Sequence, residues 1–167
     1  MAENVNARPF VHPRFEYDLG NCGIKRALDV LGEKWTLLIL REAIYGLHRF
    51  DDFARALKCG RGILSSRLKT LVQAGVLSKR DYVEPGNRHR PEYHLTAKGR
   101  DLYPAMLALS QWSDRWDLPK AGPAARVVDK GSKRAVSVVM TSRPDVAGLT
   151  MNDILIRPGP GAKRLAG

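Results

Sequence analysis

The segment from Gly60 to Asp81 constrains the fold of this 167-residue chain more than any other. Its apolar residues follow the helical pattern i, i+4, i+7, i+8: Leu64, Leu68, Leu71 and Val72. This pattern predicts a helix with one buried stripe. Gly75 lies where helices often end with a left-handed residue, and Val76 begins an extended run. The segment is therefore predicted to be a helix that passes directly into a strand.

The face of this helix opposite the stripe is basic and contains no acid. It carries two cations and two small hydroxyl side chains: Arg61, Ser65, Ser66 and Lys69. Small side chains allow close approach to a DNA groove, and cations neutralise phosphates. The helix, about residues 61–74, is therefore predicted to enter a major groove. The alternative is that this face is merely solvated.

Two neighbouring elements complete a helix-turn-helix and a wing. Acids in the first turn favour a short helix from Phe50 to Leu57, and a tight turn then leads into the basic helix. After it, residues 76–83 and 91–95 are predicted to be two short strands. Residues 84–90 between them contain Pro-Gly-Asn, which is typical of turns, and form a cationic loop.

Five more basic side chains are candidates for DNA contact. Arg88, His89 and Arg90 are predicted to touch the DNA backbone or minor groove, with an exposed loop as the alternative. Arg49 lies near a phosphate or forms a structural ion pair. Arg67 contacts a phosphate or fixes the turn through a carboxylate.

The rest of the chain divides around this motif. Residues 1–20 are predicted to be an extended arm, and helices over 22–31 and 34–45 precede the motif within a domain spanning residues 21–118. Residues 119–167 are predicted to be a small β extension with a basic tail. Its strand-like runs are 124–128, 135–140 and 154–156.

Thr96 is a suitable N-cap for a long helix through Trp116, which Pro104 should kink or restart. An apolar stripe runs along this helix that one small domain cannot easily cover: Leu102, Met106, Leu109, Trp112 and Trp116. The stripe predicts a surface that packs against another protein chain.

The charge balance favours a polyanionic partner. The chain has 28 Lys+Arg and 17 Asp+Glu, a net charge of +11. Between Arg49 and Arg100 there are 12 basic and 5 acidic residues, so +7 of this charge lies in about a third of the chain. The absence of an apolar run of membrane-spanning length predicts a cytoplasmic, nucleoid-associated protein without membrane contact.

Cys22 and Cys59 do not form a disulfide framework. At a helix start, the Cys22 thiol could have a lowered pKa and react with an oxidant or electrophile, releasing DNA. Alternatively, it is a small packing residue. Diamide treatment separates the two readings, because a Cys22→Ser protein that still loses DNA excludes the sensor.

At this point the sequence resembles the HxlR-type winged-helix transcriptional regulators. The resemblance rests on Cys22, Ala27–Glu42, Arg49-Phe50, Ile63–Leu77 and Pro91–Trp112 in that order, about 90 residues. It implies a homodimer on double-stranded operator DNA, paired through the first and last helices. Leu28 and the stripe beginning at Leu102 would then lie in the dimer interface.

Two departures from the family pattern have consequences. Cys59 and Gly60 replace the apolar residue and the Ser or Ala that commonly precede the recognition helix, and Gly is a looser cap. The extension resembles a module that in some relatives carries paired cysteines, but no cysteine follows Cys59. We therefore expect no metal site and no cofactor.

Other function classes are weaker. No catalytic triad order, phosphate loop or metal cluster indicates an enzyme. The main alternative is a non-specific architectural DNA-binding protein; an RNA-binding protein would need base-stacking aromatic strands. A regulator that also binds a small-molecule effector is compatible with the first reading.

Overall fold

The computed structural model describes residues 18, 20–84, 88–142 and 148–164. Six helices are described: α1 Gly23–Leu31, α2 Lys34–Ile44, α3 Phe50–Leu57, α4 Arg61–Gln73, α5 Ala97–Arg100 and α6 Tyr103–Trp116. Two antiparallel hairpins accompany them: β1 Leu77–Glu84 with β2 Arg88–Leu95, and β3 Ala125–Asp129 with β4 Ile154–Pro158. The mainly helical fold with a β-wing and a small β extension is confirmed. The predicted arm lies outside the described residues, apart from residues 18 and 20.

The main core is built around α2. Ile39 and Leu40 of this helix are fully buried, and Phe53 of α3 and three leucines of α4 close around them. The leucines are Leu64, Leu68 and Leu71, as the helical period predicted. Burying three complete leucine side chains supplies roughly 1.5–3 kcal/mol each, which fixes the orientation of α4. The opposite face of α4 is thereby held outward.

The connection from α4 to the wing follows from backbone chemistry. Gly75 has φ +69°, the left-handed conformation predicted for it, and Val76 N–H donates to Leu71 at 2.9 Å. The Thr96 hydroxyl donates to Gly75 O at 2.6 Å and accepts from Gly99 N–H at 3.1 Å. Both ends of the wing hairpin are therefore attached to the end of α4.

Thr96 caps only the four-residue α5, so the predicted single helix through Trp116 is wrong as a continuous element. Helix α6 starts again at Tyr103, with Pro104 in its first turn. Proline lacks an N–H and clashes with the preceding turn, so it is tolerated at a helix start but not inside one. The predicted restart at Pro104 is confirmed.

The extension packs against α6. Tyr103, Leu107 and Ile154 form its buried centre, and the Gln111 side-chain amide donates to Val136 O at 2.9 Å. Val138 N–H donates back to the Gln111 amide oxygen at 2.9 Å. The predicted strand over 135–140 is wrong beyond a single bridge at Ala135, because the backbone beyond Val136 bonds this side chain instead of a strand.

The Gly-Pro-Gly sequence is explained by close backbone contact. A Cβ on Gly159 would lie 2.1 Å from Pro123 O, and Gly159 N–H donates to Ala124 O at 2.9 Å. The chain after β4 therefore lies directly against the chain before β3. Within the described residues no helix is both long and apolar enough to cross a bilayer.

Candidate nucleic-acid interface

Helix α4 presents its predicted basic face to solvent. Lys58 ends α3 with φ 50°, and Gly60 is the N-cap of α4 without a side-chain cap, as the sequence indicated. The side chains opposite the buried leucines are exposed: Arg61, Ser65, Ser66 and Lys69. Lys69 makes no ion pair or hydrogen bond among the described residues. This cation has no internal anion to displace before it meets a phosphate or a base.

Asp51 connects three elements at the edge of this face. Its Oδ1 accepts from Arg61 Nη2 at 3.0 Å, and its Oδ2 lies 2.7 Å from Arg90 Nη1. The Arg61 guanidinium also lies 4.8 Å from the Phe50 ring centre. Hydrogen bonding by Arg61, followed by the charges of both arginines, holds the pKa of Asp51 below its usual value. One carboxylate thus fixes the start of α4 relative to the wing.

Arg49 forms a structural ion pair, one of its two predicted alternatives. Its Nε donates to Glu92 Oε1 at 3.2 Å, and its guanidinium lies 4.4 Å from the Tyr82 ring centre. Glu92 Oε2 also lies 3.1 Å from His94 Nε2. The hydrogen bond from Arg49 is the main reason that the pKa of Glu92 is lowered. Arg49 therefore braces the wing against the start of α3.

Arg67 also contacts a carboxylate, since its Nη2 lies 3.5 Å from Glu33 Oε2. Glu33 is the N-cap residue of α2, so this pair connects the middle of α4 to the central helix. The side chain of Arg67 is 30% exposed. Its guanidinium therefore retains a solvent-facing edge beside the basic face.

The wing hairpin is longer than predicted. Pairing runs from Leu77↔Leu95 to Glu84↔Arg88, so residues 84 and 88–90 are strand and the predicted loop of 84–90 is wrong in its bounds. Residues 85–87 lie outside the described residues, as do the side chains of Arg88 and His89. Arg90, opposite Tyr82 in the ladder, reaches Asp51 at the edge of α4.

A separate apolar surface lies on α1 and α6. We call it the apolar face, and its members are Ile24, Leu28, Leu109, Trp112 and Trp116. The two tryptophans are 62% and 70% exposed, and Leu28 is 57% exposed. Leu102 and Met106 instead pack against the main core, so their predicted place in an exposed stripe is wrong. They precede the turn of α6 at which the helix leaves the core.

Cys22 and Cys59 are both free thiols. Cys22 is the N-cap residue of α1 and makes no side-chain cap hydrogen bond. Its side chain is partly buried, and Cys59 packs at the edge of the main core. The position of Cys22 at the helix start agrees with the sequence, and its redox role stays a prediction.

Three residues that matter here were not singled out from the sequence. Asp51 and Glu92 have partners far away in the chain, so their ion pairs carry no short-range sequence signal. Ile24 did carry a signal, because it precedes Leu28 by four residues and so shares its helix face.

A helix-turn-helix followed by a two-stranded wing defines the class of winged-helix DNA-binding proteins. The family model described as HxlR-like helix-turn-helix matches residues 30–121. The chain belongs to this family and is a DNA-binding transcriptional regulator of the winged-helix type.

Individual relatives agree with the family assignment. The chain is 38% identical over 140 residues to the uncharacterized HTH-type transcriptional regulator Mb3122 of Mycobacterium bovis, covering 84% of this chain and 87% of the relative. It is similar to the crystal structure of PA1607, a candidate transcription factor, with TM-score 0.65, 33% identity and coverage of 81% and 93%. The redox regulator HypR in its reduced form gives TM-score 0.50 at 29% identity, covering 55% of this chain and 90% of HypR.

Proposed function

We propose that this chain is a homodimeric, sequence-specific regulator in which α4 reads a DNA major groove. The observation that carries the proposal is the outer face of α4, which is exposed, cationic and free of acids. The small side chains of Ser65 and Ser66 let the helix backbone approach the bases, and Arg61 and Lys69 supply charge at either end. Arg67 reaches a phosphate from its solvent-facing edge.

The wing supplies the second contact. Arg88, His89 and Arg90 lie on the strand that approaches α4, and Arg49 lies between that strand and α3. We assign them to the DNA backbone or the minor groove beside the recognition helix. The Asp51 and Glu92 pairs support this role because they set the angle between wing and helix before DNA arrives.

The apolar face supports the homodimer. Exposed tryptophans on a soluble chain are typical of protein interfaces, since aromatic side chains dominate their energetics. Pairing through α1 and α6 leaves α4 and the wing of each protomer free. A two-fold dimer would then place two recognition helices about 34 Å apart, one turn of DNA.

The proposal is tested by titrating the protein against DNA from its own promoter region and against random duplex. We expect a discrete retarded species with the promoter fragment and an affinity that falls steeply between about 50 and 200 mM salt. Equal affinity for all sequences at every salt concentration would instead favour a non-specific architectural protein. Affinity that does not change with salt would reject the cationic interface altogether.

Asp51 gives a prediction of opposite sign to most interface substitutions. Asp51→Asn removes an anion that neutralises Arg61 and Arg90, while its amide keeps the size of the side chain. We expect DNA affinity to rise by about threefold to tenfold at low salt and the salt dependence to steepen, because both arginines become available to phosphates. Fluorescence anisotropy with a labelled duplex measures both quantities.

Asp52→Asn is the matched control for this experiment. It also removes one carboxylate from α3, but Asp52 pairs with Arg55 on the same helix at 2.6 Å. We expect a smaller rise, which reports net charge alone. If Asp51→Asn lowers the affinity, the carboxylate holds the arginines in their productive position and does not compete with DNA.

A further inference from the structure

A cavity of about 660 Å³ lies between α2, α6 and the β extension. Its volume falls within the range of roughly 300–1,000 Å³ typical of small-molecule sites. Its walls are largely apolar, with Leu38 and Ile44 on one side, Leu107 on α6, and Val127 and Ile156 on the extension. The extension therefore forms one wall of an apolar site that the winged-helix domain alone would leave open.

One buried polar group on the wall has no partner. Tyr103 is 8% exposed, and its hydroxyl makes no hydrogen bond among the described residues. A buried hydroxyl without a partner is costly, and a ligand oxygen at hydrogen-bond distance would remove that cost. Burial, with a smaller contribution from neighbouring Tyr45, raises the pKa of Tyr103 to about 12. The phenol is therefore neutral at physiological pH and suits a neutral oxygen.

We propose that this cavity is an effector site for a neutral, mostly apolar aromatic molecule that carries one hydrogen-bonding oxygen, which Tyr103 recognises. The apolar walls exclude a strongly charged ligand, because its desolvation would not be repaid. Arg41, the cation on the wall, is already paired with Glu42. The predicted small-molecule effector thus receives a location and a chemical class.

The cavity also adjoins the apolar face. Leu109 lines the cavity and is 54% exposed on the side of α6 that carries Trp112. A ligand that moves Leu109 or tilts α6 changes how two protomers pair, and hence the distance between their recognition helices. This regulatory consequence rests on the proposed dimeric function, whereas ligand binding itself does not.

The binding test uses DNA-free, full-length protein and two fluorescent probes, 2-naphthol and naphthalene. They share one aromatic body, and only 2-naphthol carries an oxygen. We expect both to bind, and Tyr103→Phe to weaken 2-naphthol about fivefold, the usual worth of one hydrogen bond, while naphthalene stays within twofold. Tyr93→Phe is the control, because this half-buried tyrosine lies outside the cavity lining.

A second variant tests the location. Ala125→Phe adds a ring from the cavity wall of β3, and we expect at least a tenfold loss for both probes with unchanged thermal unfolding. Wild-type protein that binds neither probe overturns the site, and equal losses for both probes in Tyr103→Phe overturn the role of its hydroxyl. Binding that disappears as the protein dimerises means that the partner protomer fills the cavity, which also overturns the proposal. Probe binding without any promoter binding would separate a failed regulator from a valid ligand site.

Discussion

Replacing Lys69 with glutamate is expected to weaken promoter binding by at least about 100-fold. Lys69 is exposed on the outer face of α4 and has no internal partner, so its full charge is available to DNA. Reversal removes one contact, of the order of 1–3 kcal/mol, and adds a repulsion with the phosphates. The dimer carries two copies, and about 1.4 kcal/mol per copy already gives a factor of 100. Fluorescence anisotropy at fixed salt measures the change.

Lys120→Glu provides the control, because it changes the net charge by the same amount at an exposed lysine beyond α6. We expect less than a threefold effect there at moderate salt, since distant charges are screened within about 10 Å. Lys69→Ala should lie between wild type and Lys69→Glu and should flatten the salt dependence. If both reversals weaken binding equally, only the overall charge matters and α4 is not the reading element.

The agreement between sequence and structure is closest where short-range rules decide the outcome. The period of Leu64, Leu68 and Leu71, the left-handed Gly75 and the proline at the start of α6 each depend on a few neighbouring residues. Sequence alone therefore placed α3, α4 and the basic face correctly. The order of the family segments added the wing and the winged-helix class, which the family match confirms.

The differences arise where distant residues decide. The state of Arg61 depends on Asp51, ten residues earlier in the chain, and Arg90 meets the same carboxylate from 39 residues away. Residues 135–140 have strand-like composition, but the Gln111 side chain takes the backbone hydrogen bond that a strand partner would have used. Likewise, the cavity wall combines α2, α6 and the extension, and no local pattern predicts that combination.

These differences change the view of the basic surface. Charge counting treats every arginine near α4 as equally available to DNA, whereas Arg49, Arg61, Arg67 and Arg90 all have carboxylate partners in the free protein. DNA must exchange with those carboxylates, so each arginine contributes less net affinity than its charge suggests. Lys69 has no such exchange to make, which is why its reversal is expected to have the largest effect of any single substitution on this surface.

The second large effect is expected on the apolar face. The double substitution Trp112→Glu and Trp116→Glu should raise the dimer dissociation constant by at least about 1,000-fold. Each tryptophan occurs twice in a symmetric interface, and a loss of about 1 kcal/mol for each of the four side chains gives this factor. Both side chains are more than 60% exposed in the single chain, so thermal unfolding of the protomer should hardly change. Sedimentation velocity over a range of concentrations measures the dissociation.

Trp112→Phe with Trp116→Phe is the matched control, because it keeps an apolar ring at each position and should retain the dimer. The monomeric glutamate variant should also lose most of its promoter affinity, since two recognition helices no longer bind as one unit. Its outer α4 face is unchanged, so affinity for a single half-site should be preserved. A glutamate variant that remains dimeric would place the dimer interface elsewhere. One that is monomeric yet binds the promoter as tightly as wild type would show that pairing through α1 and α6 does not contribute to DNA recognition.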